Sequence, residues 1–229
     1  MIVPFGDDQV RGGHYPIFSY GFIALNVIVF IMQAQMPAGQ FQSFVETYGS
    51  IPAEITQGQD WYTLITSMFL HGSWGHLLGN MLFLWIFADN IEATIGNLRF
   101  LLFYIVGGLA AHAGHILFNL GSPVPTVGAS GAISAVMGAY LIMFPRSRIK
   151  MLLLFFIIRI PAWLFLGFWI FQQTSYGTQA LQGSQAGGVA WWAHIGGFAF
   201  GVLAGFYYRT QYPREAPMVA TTFQEEDLL

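Results

Sequence analysis

Six apolar runs dominate this sequence of 229 residues and constrain its fold more than any other feature. A helix that crosses a bilayer needs about 20 mostly apolar residues. The chain is 55% hydrophobic and only 8% charged, whereas about a quarter of the residues in a water-soluble domain are charged. The sequence therefore predicts an all-α membrane protein, a polytopic bundle of six transmembrane helices. The runs are residues 15–32, 75–88, 98–118, 127–144, 151–171 and 189–207.

The few charged residues indicate an orientation and exclude one class of partner. Eight Lys and Arg stand against eleven Asp and Glu, which leaves no basic surface for nucleic acid. Seven of the eight basic residues fall on one side of the predicted membrane, and Lys and Arg accumulate in cytoplasmic loops. Both termini are therefore predicted to be cytoplasmic. The seven residues are Arg11, Arg99, Arg146, Arg148, Lys150, Arg209 and Arg214.

The eighth basic residue, Arg159, lies inside the fifth apolar run, close to Pro161. Proline suits the first turn of a helix, so the spanning helix can begin near Pro161, with residues 151–158 along the cytoplasmic interface. Alternatively, a single helix runs from Met151 and is kinked at Pro161. The sequence leaves both alternatives open.

The loops and ends divide the chain into three predicted parts. Residues 1–13 form a cytoplasmic N-terminal segment, residues 14–208 the six-helix core, and residues 209–229 a flexible cytoplasmic tail. A long outer loop covers residues 33–60. Residues 172–188 are polar, uncharged and rich in glycine, which is typical of a mobile outer loop.

Polar side chains inside membrane spans are costly and often functional, and four of them share one depth. His76 and Asn80 lie near the outer end of the second run, Ser130 near that of the fourth, and His194 near that of the sixth. At a rise of about 1.5 Å per residue, all four fall roughly 5–10 Å below the outer surface. This shared depth is the strongest physical indication of a site.

Ser130 follows Gly128 and Ala129 and precedes Gly131 at the predicted start of a helix. A helix N-terminus supplies free N–H groups and the positive end of a dipole, which suit an oxyanion. The Ser130 hydroxyl could then act as a nucleophile. The alternative is a face of small residues that packs against another helix.

His194 precedes three glycines spaced four residues apart, Gly197, Gly201 and Gly205. This bare helix face permits close packing. If the partner is the fourth span, His194 can reach Ser130 and act as its general base. The alternative is a buried histidine bonded to a carbonyl group.

His76 and Asn80 are four residues apart and so share one helix face. Both side chains can donate hydrogen bonds, so together they could stabilise a developing negative oxygen. An interhelical polar clamp is the alternative.

Other histidines raise the question of a metal site. His71 and His76 lie near the second run, and His112 and His115 in the third. No carboxylate accompanies them at that depth, and the chain has no cysteine. We therefore expect no metal and no cofactor, with a haem or metal carrier as the less favoured alternative. His112 and His115 are interpreted as polar residues in helix packing.

These motifs together resemble the rhomboid family of intramembrane serine proteases. The resembling segments are Gly-His76-Leu-Leu-Gly-Asn80, Gly128-Ala-Ser130-Gly131 with Gly138 seven residues on, and Ala-His194-Ile-Gly-Gly197. The resemblance extends from about residue 14 to residue 208.

The resemblance implies a role for each matching position. Ser130 is expected to be the nucleophile and His194 the general base, in a dyad without a carboxylate. His76, Asn80 and the backbone N–H of Ser130 match the oxyanion hole. Gly128, Gly131 and Gly197 are expected to support the site, since they match glycines of the family motifs.

The family resemblance also implies an activity: a serine endopeptidase that cuts single-span membrane proteins near the outer interface, after a small residue. Substrates would enter laterally near the second and fifth spans, and partners would be such substrates and membrane lipids. The expected location is a bacterial plasma membrane. A rhomboid-like scaffold that holds clients without cutting them is the alternative.

Two positions depart from the family pattern. Many relatives carry Trp-Arg before the second span, where this chain has Trp61-Tyr62. Some relatives place an aromatic residue four positions after the nucleophile, stacked on the histidine, where this chain has Ser134. Another group must therefore hold His194.

Overall fold

Six long helices form the body of the protein in a computed structural model that describes residues 2–8, 13–182 and 188–212. Each overlaps one of the six predicted apolar runs. They are α1 (Ile17–Ala34), α5 (Trp74–Ile95), α6 (Asn97–Phe118), α7 (Ser130–Met143), α8 (Ala162–Leu181) and α9 (Trp191–Gln211). Among the described residues, α1 and α6 are long and apolar enough to cross a membrane by length and composition alone.

The first long loop contains short helices rather than irregular chain. They are α2 (Ala38–Tyr48), α3 (Pro52–Thr56), α4 (Thr63–Thr66) and a 3-10 turn at Ser67–Phe69. The 3-10 turn leads into α5, whose N-cap is Ser73. The Ser73 hydroxyl accepts a hydrogen bond of 3.1 Å from the backbone N–H of His76. This cap sets where α5 begins, and so sets the positions of His76 and Asn80.

The fold is mostly helical, but the all-helical prediction misses a small sheet. Three antiparallel strands, in the order β1-β2-β3, are β1 (Ile2–Gly6), β2 (Arg148–Leu153) and β3 (Phe156–Pro161). Strand β1 lies within the predicted N-terminal segment 1–13. Asp7 follows it and is buried, accepting hydrogen bonds from the Asn90 amide at 2.6 Å and from the Tyr140 hydroxyl. The start of the chain is thereby joined to α5 and α7.

The fifth apolar run does not form one helix. Residues 148–161 form a β-hairpin, and α8 begins at Ala162 with Pro161 as its N-cap. The alternative of a helix beginning near Pro161 is confirmed, and that of a single helix from Met151 kinked at Pro161 is wrong. The physical reason is composition, since isoleucine and phenylalanine in residues 155–160 favour a strand. Arg159 lies on an exposed strand and not in a helix.

The prediction of a mobile outer loop at 172–188 is wrong for its first ten residues. Helix α8 continues to Leu181, and residues 183–187 lie outside the described residues. Polar composition suggested a loop, but glutamine is a good helix former. In addition, Gly177 lets α9 approach, since a Cβ there would lie 3.2 Å from Ile195 Cδ1. Most of the predicted tail 209–229 also lies outside the described residues.

Helices α7 and α9 pack with their backbones in contact, as the glycine spacing predicts. A Cβ added at Gly201 would lie 2.8 Å from the Ala135 Cα, and one at Gly205 would lie 2.9 Å from the Ala139 Cα. In the other direction, a Cβ at Gly138 would lie 2.9 Å from the Val202 nitrogen. The partner of the glycine face is therefore the helix that Ser130 begins.

A buried carboxylate joins α1 to α5. Glu92 is fully buried, and its oxygens accept hydrogen bonds from the backbone N–H groups of Phe18 (2.9 Å) and Ser19 (2.7 Å) and from the Ser19 hydroxyl (2.7 Å). The first N–H groups of a helix have no partner within it. Glu92 thus caps α1 from a distant part of the chain.

We expect Gly201→Ala to destabilise the protein by about 1–3 kcal/mol, the usual range for overpacking, because the new methyl group meets the Ala135 backbone. Gly167→Ala on α8 is the matched control, since a Cβ there meets nothing within 4 Å. In a helix this control should be neutral or stabilise by up to about 1 kcal/mol. Thermal unfolding in detergent measures both variants, and equal melting temperatures would contradict the packing described.

Candidate active site

The four polar residues predicted to share one depth line a single cavity of about 820 Å³. They come from three helices that are distant in sequence: α5 carries His76 and Asn80, α7 begins with Ser130, and α9 carries His194. Asn80 and His194 are buried, while Ser130 and His76 are half-buried. The cavity therefore offers polar groups to a molecule within the helix bundle.

Ser130 and His194 face each other across the contact between α7 and α9. The His194 Nε2 lies 2.8 Å from the Ser130 Oγ. Ser130 is the first residue of α7, and His194 lies in the first turn of α9. A Cβ added at Gly197, one turn beyond His194, would lie 3.2 Å from the carbonyl carbon of Gly131 in α7, so the two helix backbones are in contact here. The close approach brings the hydroxyl and the imidazole within hydrogen-bonding distance.

The side chain that orients His194 is Gln173, which the sequence analysis missed. Its Oε1 lies 2.7 Å from the His194 Nδ1, and both side chains are buried. An amide oxygen can only accept a hydrogen bond, so Nδ1 carries the hydrogen and Nε2 offers its lone pair to the Ser130 hydroxyl. Gln173 thus selects the tautomer that a general base needs.

Gln173 was missed because its neighbourhood looks like a loop. One signal could have found it: if α8 continues past residue 171, Gln173 becomes a polar side chain inside a span, and such positions are often functional.

Two aromatic rings also flank His194, Trp169 at 5.8 Å and Trp191 at 6.2 Å between ring centroids. Ser134 instead donates to the Ser130 carbonyl oxygen at 2.6 Å. These contacts replace the aromatic residue that some rhomboids place four positions after the nucleophile.

His76 and Asn80 lie against the loop that precedes Ser130. Gly128 has a φ of 125°, and a Cβ there would lie 2.7 Å from the His76 Nε2 and 3.6 Å from the Asn80 Nδ2. A side chain at this position would therefore both strain the backbone and collide with the imidazole. Gly128 lets the chain enter α7 with both donors beside it.

Asn80 is held by a second histidine. The Asn80 Nδ2 lies 2.9 Å from the Nε2 of His71, which is fully buried. Gln33 of α1 in turn holds His71 through the backbone, since its Oε1 accepts from the His71 N–H at 3.1 Å. An amide group has two hydrogens, so one can bind His71 while the other stays available to a ligand in the cavity.

Two further histidines, His112 and His115 of α6, are bonded to hydroxyl groups. The His112 Nε2 lies 3.1 Å from the Ser67 Oγ, and the His115 Nε2 lies 2.9 Å from the Thr126 Oγ1. Among the described residues, no group of three or more His, Cys, Asp or Glu is arranged to hold a metal ion. His112 and His115 join α6 to neighbouring segments, in keeping with their interpretation as packing residues.

Comparison with known proteins agrees with this architecture. The family model of the Rhomboid domain matches residues 58–211, which include His76, Asn80, Ser130, His194 and Gln173. Over 133 residues the chain is 33% identical to "Rhomboid protease GluP" of Bacillus subtilis (strain 168), covering 58% of this chain and 26% of the relative. Over 129 residues it is 32% identical to "Putative rhomboid protease YdcA" of the same organism, covering 56% of this chain and 63% of the relative.

A mitochondrial relative aligns over a longer stretch. "Rhomboid protein 1, mitochondrial" of Saccharomyces cerevisiae is 29% identical over 197 residues, covering 82% of this chain and 52% of the relative. The chain thus spans between about a quarter and under two thirds of the length of these three relatives. Because the Rhomboid domain model covers most of the chain, the chain belongs to the rhomboid family of intramembrane proteases.

Proposed function

We propose that this protein is an intramembrane serine endopeptidase in which Ser130 is the nucleophile and His194 the general base. The observation that carries the proposal is a pair of hydrogen bonds made by His194: its Nε2 lies 2.8 Å from the Ser130 Oγ, and its Nδ1 lies 2.7 Å from the Gln173 Oε1. A nucleophile activated by a base, which a third group orients, is the general pattern of serine hydrolases. Here a neutral amide takes the place of the usual carboxylate.

In the acylation step, the Ser130 Oγ attacks the carbonyl carbon of the scissile peptide bond. The hydroxyl proton moves to the His194 Nε2, while the Nδ1–H stays bonded to the Gln173 Oε1. The imidazolium then protonates the leaving amine, and the C–N bond breaks. The products are an acyl-enzyme on Ser130 and a new N-terminus.

Three donors are proposed to stabilise the oxyanion: His76, Asn80 and the backbone N–H of Ser130. The first N–H groups of α7 have no partner within the helix, and the helix dipole places positive potential there. Removing one oxyanion-hole donor typically lowers kcat by about 10²–10³-fold. In deacylation, a water molecule attacks the carbonyl carbon of the acyl-enzyme while His194 takes its proton. His194 then returns the proton to the Ser130 Oγ as the bond from Oγ to the acyl carbon breaks, which releases the new C-terminal carboxyl group.

The six long helices are proposed to span the membrane, with both termini cytoplasmic and the cavity near the outer surface. Substrates are then single-span membrane proteins cut near that surface after a small residue. They would reach Ser130 laterally between α5 and α8. A bacterial plasma membrane stays a prediction, since the relatives include proteins of Bacillus subtilis and of mitochondria.

We expect purified protein to cleave a tagged single-span substrate in lipid vesicles, and Ser130→Ala and His194→Ala to reduce cleavage to background. The physical reason is that each change removes a reacting group. Gel electrophoresis and mass spectrometry measure the products. The matched controls are Ser175→Ala and His14→Ala: Ser175 is half-buried, His14 is exposed, and neither lines the cavity.

A fluorophosphonate probe separates the enzyme from the scaffold alternative. Labelling of Ser130 that disappears in His194→Ala supports the protease. Capture of single-span clients without labelling or cleavage would instead favour a scaffold. Equal cleavage by Ser130→Ala and the parent would refute the site assignment.

Gln173→Met keeps the size of the side chain but removes the acceptor, so we expect kcat to fall about 10- to 100-fold with KM nearly unchanged. That range corresponds to the roughly 1.5–3 kcal/mol of a hydrogen bond to a charged group. Gln173→Glu restores an acceptor and should recover most of the rate. Steady-state kinetics measures both.

Gln172→Met is the matched control, because it makes the same change one position earlier on α8. Similar losses in Gln172→Met and Gln173→Met, or a failure of Gln173→Glu to recover the rate, would show that Gln173 does not position His194. Melting temperatures of all three variants separate a catalytic effect from a folding effect.

Gly128→Ala should abolish most cleavage, because the new methyl group would lie 2.7 Å from the His76 imidazole. Gly121→Ala is the control for backbone strain alone: Gly121 also has a positive φ, 77°, but a Cβ there meets nothing within 4 Å. In both variants the backbone strain costs about 1 kcal/mol or more, but only Gly128→Ala adds a collision with a neighbouring side chain. Equal rates of substrate cleavage in the two variants would contradict the contact between His76 and Gly128.

A further inference from the structure

The β2–β3 hairpin exposes apolar side chains where hairpins of soluble proteins carry polar ones. Its turn is Leu154-Phe155, and these side chains are 65% and 94% exposed. The flanking Phe156 and Ile157 are 71% and 63% exposed. Turn residues are normally glycine, asparagine or aspartate, so this tip is not adapted to water.

The backbone of the turn strengthens this observation. Leu154 has a φ of 53°, in the left-handed region that a bulky side chain rarely adopts. Glycine or asparagine at this position would relieve the strain and would leave no large apolar side chain exposed. The chain instead keeps a large apolar residue there, which indicates that the tip is in contact with an apolar phase.

The two faces of the hairpin differ. On one face, Ile149 and Met151 are buried, and Ile158 and Ile160 pack against the core. On the opposite face, Lys150 pairs across the strands with Arg159, and Leu152 pairs with Ile157. This second face therefore carries positive charge at the end of the hairpin far from the turn and is apolar near the turn.

The hairpin contributes no carboxylate to its own charged end, where the Asp8 carboxylate accepts a hydrogen bond of 3.2 Å from the Arg148 backbone N–H. Residues 145–161 contain Arg146, Arg148, Lys150 and Arg159 and no Asp or Glu. Like charges directly opposite each other destabilise a sheet, as at the Lys150–Arg159 pair. An external anion beside these two residues would remove that repulsion.

The distance between the basic residues and the apolar turn matches the hydrocarbon thickness of one membrane leaflet. Arg159 and Lys150 lie four and five residues from Phe155, or about 13–16 Å along a strand at about 3.3 Å per residue. One leaflet contributes about half of the roughly 30 Å hydrocarbon core. Cations at the phosphate level would thus place Leu154 and Phe155 among the acyl chains.

We infer that the β2–β3 hairpin inserts its Leu154–Phe155 tip into a membrane leaflet while Lys150 and Arg159 bind anionic phospholipid headgroups. The hairpin follows the end of α7 opposite to Ser130, so the leaflet concerned is the one away from the candidate active site. The hairpin would anchor α7 and α8 without crossing the bilayer. This inference does not depend on catalysis.

Nitroxide labelling tests the insertion directly, because the chain has no cysteine and each label has one attachment point. The full chain with Phe155→Cys is labelled and reconstituted in vesicles of phosphatidylcholine with phosphatidylglycerol. Collision rates with oxygen and with a water-soluble nickel complex then report the environment of the label. Leu102→Cys on an exposed face of α6 and Gln59→Cys in the first long loop are the lipid and water references.

We expect high oxygen and low nickel collision rates at position 155, at a depth of about 5–10 Å or more. A nickel collision rate like that of Gln59→Cys would place the tip in water and overturn the inference. Low rates for both reagents would show contact with protein, either a partner or a second copy, and would overturn it equally.

The headgroup half of the inference has its own test. The association of spin-labelled phosphatidylglycerol relative to phosphatidylcholine is compared between the parent and Lys150→Gln/Arg159→Gln. A cation near an anionic surface contributes about 1 kcal/mol to binding. The loss of each positive charge should therefore weaken the preference for phosphatidylglycerol over phosphatidylcholine about fivefold. The matched control is Arg209→Gln on α9. An unchanged preference for phosphatidylglycerol in the double variant would refute headgroup binding by Lys150 and Arg159.

Discussion

The close contact between α7 and α9 is the constraint on which the rest of this structure depends. Glycines let the two backbones meet, as at Gly201 and Ala135, without an intervening layer of side chains. Only at that separation does the His194 imidazole reach the Ser130 hydroxyl, at 2.8 Å. Small residues drive helix association in lipid because dispersion replaces the hydrophobic effect there. The same contact therefore serves both packing and the proposed chemistry.

Several polar side chains inside the bundle are held by hydrogen bonds to one another or to backbone groups, since unpaired polar groups in an apolar medium are costly. Glu92 caps α1, and His71 joins Gln33 to Asn80. Gln173 does the same for His194. The bond to His71 thereby orients the Asn80 amide, and the bond to Gln173 orients the His194 imidazole, before a substrate binds. Orientation in advance of the reaction is the main source of electrostatic catalysis.

Gln173 shows how a local composition can conceal a function. Its segment is polar and contains glycine, and those features are typical of loops, yet the residues continue α8 by another three turns or so. Whether a polar helix end is ordered depends on what packs against it, here the first turns of α9. The hairpin at 148–161 shows the converse: apolar composition suggested a membrane span, but these residues pair with one another as β2 and β3, and β2 also pairs with β1.

The sequence by itself determined the helical class, the approximate positions of the six long helices and the identity of Ser130, His194, His76 and Asn80 as candidate site residues. Those features depend on local apolar content and on short motifs, which any single segment carries. The tertiary structure alone decided that Gln173 orients His194, that His71 holds Asn80, and that the fifth apolar run is divided between a hairpin and α8. Each of these depends on which segments become neighbours in space, and a linear pattern does not contain that information.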